Sequence, residues 1–166
     1  MTTLFIHIGY PKTGTSWLQH FLSLNEEELR SGGLDYLKTG RSRDRENHAK
    51  LVRAIQSDSR DVAIETWRAV AAEVESSPAP TCVISAESFV ESFTEEHIGF
   101  LSELIRDIDV KILVYLRSQA QALESRYLQA LKAGFQLPDF QTYVKRQIRN
   151  GRWNYQERLG RWSCFG

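Results

Sequence analysis

The chain has 166 residues, 42% of them hydrophobic and 25% charged, and its 21 basic and 21 acidic side chains cancel to a formal net charge of zero. This length suits one domain with a sizeable core, and the composition excludes a disordered chain. Because there is no overall positive field, the sequence predicts no general attraction to nucleic acid, and any anion site must be local.

Cysteine usage and apolar runs bear on the cellular compartment. Cys82 and Cys164 make a poor disulfide framework and lack metal-ligand spacing, so we interpret them as reduced packing residues. No apolar run approaches the roughly 20 residues of a membrane span, and the N-terminus lacks a signal-peptide pattern. These features predict a cytoplasmic protein without a membrane partner.

The first organised stretch is an apolar run, Leu4 to Ile8, followed by a turn rich in glycine and proline and by a helix-compatible segment from Trp17 to Leu22. This pattern indicates strand, loop and helix. The main-chain N–H groups of such a loop and the positive end of the helix dipole favour a phosphate-like anion. Lys12 adds a full charge, and three side chains add hydroxyl donors: Thr13, Thr15 and Ser16.

The loop matches a Walker A loop only in part. Gly9 and Gly14 have the expected separation, but Thr15 follows the second glycine and the lysine precedes it. The sequence therefore favours binding of a phosphate-type anion over ordinary nucleotide hydrolysis. The alternative is that glycine, proline and threonine here only form a strand-to-helix turn.

Helix and strand patterns alternate through the rest of the chain, with a polar, exposed loop from Lys38 to Asn47. Helices are predicted at Asn25–Arg30, at His48–Ile55, over Ile64 to Val74, over Ile98 to Ile108, over Ala120 to Leu131 and after Pro138, and strands at Leu34–Leu37, Thr81–Ser85 and Val110–Leu116. Strands separated by helices favour parallel β-α-β units. We therefore predict an α/β fold, a P-loop NTPase-like three-layer α/β/α domain with a mostly parallel central sheet.

Polar residues follow three of the predicted strands: Lys12 the first, Glu87 the strand ending at Ser85, and Arg117 the strand ending at Leu116. Ligands of parallel sheets bind at the carboxyl ends of the strands. A P-loop NTPase would place an acidic residue there to help hold Mg²⁺, whereas Arg117 indicates a second anion held by a guanidinium. Two anion sites at one edge suggest a ligand with two separated phosphate-like groups.

At this point the sequence resembles the sulfotransferases that use 3′-phosphoadenosine 5′-phosphosulfate. The stretch Tyr10-Pro11-Lys12-Thr13-Gly14-Thr15-Ser16-Trp17 is similar to the family's 5′-phosphosulfate loop. The stretch Val114–Arg117, followed by Ser125 and Tyr127, is similar to its 3′-phosphate motif. The resemblance implies this nucleotide as the sulfuryl donor and adenosine 3′,5′-bisphosphate as the product.

The resemblance also implies roles for individual residues. Lys12 and the loop amides would hold the phosphosulfate, Trp17 would lie against the adenine, and Arg117 would take the 3′-phosphate. The implied donor-binding residues are Pro11, Lys12, Thr13, Gly14, Thr15, Ser16, Trp17, Arg117 and Ser125. Trp17 as a core residue of its helix and Ser125 as a helix-surface serine are the alternatives.

Sulfuryl transfer needs charge neutralisation on the leaving phosphate and a base for the acceptor proton. Because a sulfuryl group carries less charge than a phosphoryl group, Lys12 can stabilise the bridging oxygen and no metal is expected. Glu87 is the first candidate for the base. His48, brought in by the neighbouring polar loop, is the second.

We therefore predict a sulfotransferase acting on a hydroxyl or amine of a carbohydrate or small molecule, with Lys38–Asn47 and the helices after Pro138 facing the acceptor. We expect one domain over residues 1–166. Family members are usually longer, so we expect it to lack their C-terminal strand and 3′-phosphate-covering loop. The alternatives are an ATP-dependent small-molecule kinase and a truncated, non-catalytic nucleotide-binding protein. The pattern indicates no oligomeric state.

Overall fold

A computed structural model describes residues 2–42, 46–151 and 153–165. In chain order the elements are β1 (Thr3–His7), α1 (Thr15–Leu24), α2 (Glu26–Ser31), β2 (Leu34–Tyr36), α3 (Ala49–Ile55), α4 (Arg60–Ser76), β3 (Thr81–Ser85), α5 (Ser88–Ser92), α6 (Glu95–Leu104), β4 (Asp109–Leu113), α7 (Gln119–Lys132), α8 (Phe140–Arg149), α9 (Tyr155–Gly160) and a 3-10 turn (Ser163–Phe165). Within these ranges no helix is long and apolar enough to cross a membrane.

The four strands form one sheet in the order β2-β3-β1-β4, and every neighbouring pair is parallel. β1 therefore lies between β3 and β4. Its last residue, His7, is in register with Ser85 on one side and Leu113 on the other. The carboxyl ends of three strands are level, so the segments that follow them meet at one edge of the sheet. The predicted parallel α/β fold is confirmed.

Both faces of the sheet are covered, as alternation along β1 and β3 shows. Leu4 and Ile6 belong to the main core, while Phe5 packs with Val83 in a smaller cluster on the other face. A residue on a strand alternates in facing with its neighbour, so these two clusters lie on opposite sides. Trp67 is fully buried in the main core.

The predicted strand Val110–Leu116 is too long, because β4 ends at Leu113. The apolar sequence continues beyond Leu113. The neighbouring strand β1 ends at His7, the residue opposite Leu113, so the next residues have no strand beside them to pair with. Tyr115 and Leu116 are 48% and 50% exposed. Arg117 consequently lies in the segment after the strand rather than on its tip.

The apolar residues of α7 are not all buried. Ala122 and Leu123 are buried, whereas Leu128 and Leu131 are 48% and 42% exposed. The buried pair joins Tyr143 of α8 in a cluster separate from the main core. The helix therefore packs on α8 through Ala122, Leu123 and Tyr127, whereas Leu128 and Leu131 face solvent.

The two cysteines differ in their surroundings. Cys82 is buried in β3 and packs in the main core, as predicted. Cys164 is exposed in the final 3-10 turn, so its interpretation as a packing residue is wrong. Its aromatic neighbours Trp162 and Phe165 pack against the core and leave the sulfur outside.

Candidate active site

The loop between β1 and α1 is held by both neighbouring strands. The Ile8 N–H donates to the Leu113 carbonyl at 3.1 Å, and the Ala86 N–H donates to the His7 carbonyl at 3.1 Å. Tyr10 is 2% exposed and meets the Tyr155 ring edge-on, with 4.6 Å between ring centroids. The loop therefore starts from a fixed position.

Positive backbone angles turn the loop back onto the start of α1. Gly9, Lys12 and Gly14 have φ of 59°, 69° and 85°. For Lys12 the left-handed conformation costs roughly 1–2 kcal/mol, a strain of the kind that clusters at ligand sites. The Thr13 hydroxyl closes the turn by donating to the Tyr10 carbonyl at 2.7 Å.

The start of α1 presents main-chain N–H groups that have no partner within the helix. Gly14 is its N-cap, no side chain caps it, and its first turn contains no acidic residue. The first N–H groups of a helix have no partner within that helix, and they add to the positive end of its dipole. Lys12 lies beside this terminus, and the Thr15 and Ser16 side chains project from its first turn. This arrangement suits an anion.

Glu87 follows β3 and reaches the same place from the other side. Its carboxylate accepts a hydrogen bond from the Thr15 hydroxyl. The approach is close enough that a Cβ added at Gly9 would come within 2.7 Å of the Glu87 Cα. Glycine at position 9 is therefore required both for its positive φ and for this contact.

Arg117 lies across from the loop and is exposed. Its Nη1 donates to the Lys12 carbonyl at 3.3 Å, and its Nε donates to the Gln121 side chain at 3.3 Å. The Tyr155 hydroxyl donates to the Arg117 carbonyl at 3.0 Å. The segment after β4 is thus attached to the loop, although it is no longer strand.

These elements enclose a cleft of about 640 Å³. The sequence-predicted residues that line it are Pro11, Lys12, Gly14, Thr15, Ser16, Glu87, Arg117 and Ser125. One wall is the loop and α1, which we call the loop wall (residues 11–16). The other is the segment from Arg117 along α7 to Phe135, which we call the helix wall.

Two ionic residues in the cleft were not singled out by the sequence. Glu91 lies one helical turn after Glu87, and Arg126 follows Ser125 on α7. Arg126 Nη1 pairs with Glu91 Oε1 at 3.2 Å, which joins α5 to α7 across the cleft. The spacing of four residues between Glu87 and Glu91 could have indicated that Glu91 lies in the cleft, because this spacing places both side chains on one side of a helix.

Trp17 lies outside this cleft. It is 71% exposed and stacks on Phe21, with ring centroids 5.6 Å apart. With Thr13 and Tyr115 it lines a separate concavity of about 350 Å³ on the other side of the loop. The alternative that Trp17 is a core residue is therefore wrong. An exposed aromatic face next to the loop is available to a flat ring.

The structure does not bring His48 into the cleft. His48 is fully buried, its Nδ1 accepts from the Ser85 N–H at 3.0 Å, and its Nε2 donates to the Leu37 carbonyl at 2.8 Å. Burial lowers its pKa to about 4. Both ring nitrogens are therefore used to join the ends of β2 and β3, and no proton-accepting atom is left.

A buried polar cluster under the loop went unnoticed in the sequence. His7 Nδ1 lies 2.7 Å from the Ser85 hydroxyl, and Gln19 donates to that hydroxyl at 2.9 Å. Burial lowers the pKa of His7 to about 4. The cluster ties the ends of β1 and β3 to α1, and only the pairing of the strands reveals that its members meet.

Comparison with known proteins adds one finding. Residues 2–163 match the family model described as the sulfotransferase domain. No curated protein and no solved structure matches the chain significantly. The match spans the loop, Glu87, Arg117 and Ser125 together.

Proposed function

The chain belongs to the sulfotransferase domain family, and we propose that it transfers a sulfuryl group from 3′-phosphoadenosine 5′-phosphosulfate to a hydroxyl or amine of a small acceptor. The observation that carries the proposal is the single cleft that Lys12, the uncapped start of α1, Arg117 and Ser125 line together. It holds two groups of cationic and hydroxyl side chains on facing walls, and the Glu87 and Glu91 carboxylates also line it.

The residues present fit such a donor. The loop wall offers main-chain N–H groups, the Lys12 ammonium and the Ser16 hydroxyl to a phosphosulfate. The helix wall offers the Arg117 guanidinium and the Ser125 hydroxyl to a second phosphate. A Cβ added at Gly14 would meet no atom within 4 Å, so open space lies directly over the start of α1.

The donor supplies an activated sulfuryl group and a phosphate leaving group. The loop wall neutralises the negative charge that grows on the bridging oxygen, with Lys12 as its only ionic group. Fixed main-chain donors need little rearrangement as this charge develops, which is why their contribution is large in a site of this kind. Arg117 and Ser125 act by binding and orientation.

We assign the base to Glu87. Its carboxylate lines the cleft and is held by the Thr15 hydroxyl, so one oxygen is oriented and the acceptor's proton passes to the carboxylate. His48 does not meet the requirement for hydrogen-bond reach, because both of its nitrogens are engaged inside the core. The acceptor-facing roles predicted for Lys38–Asn47 and for the helices after Pro138 stay predictions, and Arg43, Asp44 and Arg45 lie outside the described residues.

The proposal is tested by calorimetric titration of the protein with adenosine 3′,5′-bisphosphate and with ATP, each with and without Mg²⁺. We expect the bisphosphate to bind without metal and more tightly than ATP. Transfer of labelled sulfate from the donor to a pool of small alcohols and amines then tests the reaction.

Two results would count against the proposal. Mg²⁺-dependent binding of ATP in preference to the bisphosphate would favour the kinase alternative. Binding of the bisphosphate with no transfer to any acceptor would favour a non-catalytic nucleotide-binding protein.

A further inference from the structure

A second cavity, of about 480 Å³, opens on the far side of Glu87 from the helix wall. Its polar lining consists of Ser16, Gln19, Asn47, Glu87, Ser88 and Glu91. Three of these residues, Ser16, Glu87 and Glu91, also line the donor cleft. The two cavities therefore meet at the carboxylate that we assign as the base.

The ionic side chains that the structure describes in this lining are all acidic. Among the described residues, the lining contains two carboxylates and no cationic or aromatic side chain, and its apolar residues are Ala49 and Ala86. The donor cleft, by contrast, contains Lys12, Arg117 and Arg126. Among the residues that the structure describes, the cationic groups thus line the donor cleft alone, whereas the Glu87 and Glu91 carboxylates line both cavities.

The second cavity offers acceptor oxygens from Gln19 and the two carboxylates, beside hydroxyl groups and the amide nitrogen of Asn47, whose amide oxygen accepts from the Ala49 N–H. Gln19 is 4% exposed and its amide nitrogen is used by Ser85, which leaves the amide oxygen for a ligand. One carboxylate oxygen of Glu87 accepts a hydrogen bond from the Thr15 hydroxyl. Glu91 forms an ion pair with Arg126, which lines the donor cleft. Acceptor oxygens in a polar wall suit a molecule with many O–H or N–H donors.

We propose that this cavity binds the sulfuryl acceptor and that it selects a non-aromatic, polyhydroxylated molecule carrying an amino group, of the size of one amino sugar. The inference rests on the proposed function for the identity of the first cleft. A volume of about 480 Å³ lies toward the small end of ligand sites. A phenol would find no ring to stack on, and an acid would face two carboxylates.

The test uses four probes: glucosamine, glucose, glucuronate and 2-naphthol. The first three share a ring and differ in charge, and the fourth is aromatic. Each is titrated by ligand-observed NMR onto the protein alone and onto the protein with adenosine 3′,5′-bisphosphate, at a pH where the amine is charged. We expect glucosamine to bind most tightly, at least about tenfold more tightly than glucuronate, and 2-naphthol to bind least.

Ser88 provides a variant that changes this cavity alone. It lines the second cavity but not the donor cleft, and it is the first residue of α5. Ser88→Lys is expected to reverse the order of glucosamine and glucuronate while the affinity for the bisphosphate stays within about twofold. Ser76→Lys, at the exposed end of α4, is the matched control and should leave the order unchanged.

The outcomes separate this inference from the proposed function. Preference for 2-naphthol or glucuronate, absence of binding by all four probes, or an unchanged order in Ser88→Lys would overturn the acceptor assignment even if the bisphosphate binds. Failure of the bisphosphate to bind would overturn the proposed function, and the titrations onto the protein alone would still report on the cavity.

Discussion

The loop wall and the helix wall of the cleft carry similar cationic and hydroxyl groups but are held very differently. Thr15 and Tyr10, at the base of the loop wall, are each 2% exposed, and hydrogen bonds join the loop to the ends of β3 and β4. Arg117 on the helix wall is exposed, and α7 rests on a separate cluster that has four buried members among the described residues. One wall is part of the core, and the other lies beside it.

This difference indicates which wall should affect the catalytic rate and which should affect the affinity for the nucleotide. Catalytic stabilisation depends on donors that are already in position, which the loop wall provides through main-chain N–H groups. Exposed charged side chains contribute less per contact, because water screens them and their side chains must be ordered. We therefore expect changes in the loop wall and in Glu87 to lower the rate, and changes in the helix wall to weaken nucleotide binding.

The largest effect is expected at the carboxylate between the walls. Glu87→Gln keeps the shape and still accepts the Thr15 hydroxyl, but it removes the proton acceptor. We expect kcat to fall by about 10²–10⁴-fold, with the affinity for adenosine 3′,5′-bisphosphate little changed. The measurement is steady-state kinetics across pH, with Glu95→Gln on the exposed first turn of α6 as the matched control.

Lys12→Ala should give the next largest effect, since it removes the full positive charge of the loop wall. We expect kcat to fall by about 10²–10³-fold, because the charge on the bridging oxygen is then met by main-chain donors alone. Lys132→Ala at the exposed end of α7 is the control. A Lys12→Ala protein with unchanged turnover would show that the loop wall binds without catalysing.

The local structure of the loop wall could be predicted from the sequence, but that of the helix wall could not. The pattern from Leu4 to Ser16 is local, since strand, glycine turn and helix start are neighbours in the chain. Arg117 was expected on a strand tip, because an apolar run cannot reveal that its partner strand stops at His7. His48 was predicted at the start of a helix, where the neighbouring polar loop would bring it to the site. Only the pairing of β2 with β3 brings together the Leu37 carbonyl and the Ser85 N–H that bind its ring in the core.

Two buried histidines should make the stability of the protein depend on pH. His7 and His48 have pKa values lowered to about 4 from 6.5, so the unfolded chain takes up protons first as the pH falls. Their stabilisation is complete above 6.5 and is lost toward 4, and each lowers the free energy of unfolding by about 1.4 kcal/mol per pH unit in that window.

Urea unfolding at a series of pH values measures this loss. His48→Gln, whose amide can serve the same two main-chain groups, should remove about half of the histidine-dependent slope. His20→Gln is the control, because His20 lies on the surface beside Glu46. An unchanged slope in His48→Gln would mean that His48 is protonated in the folded protein, and the case against it as a base would weaken.

The smallest effect should come from a change in the helix wall. It tests whether this wall forms a second phosphate site or only supports the loop. Arg117→Ala is expected to weaken adenosine 3′,5′-bisphosphate binding by about tenfold, as for an exposed ionic contact. Binding of AMP, which lacks the 3′-phosphate, should change little, whereas Lys12→Ala should weaken both ligands. Arg106→Ala, exposed beyond α6, is the control for loss of a surface charge. Equal losses for both nucleotides in Arg117→Ala would mean that Arg117 acts through its contact with the Lys12 carbonyl, and the helix wall would then be a support for the loop rather than a second phosphate site.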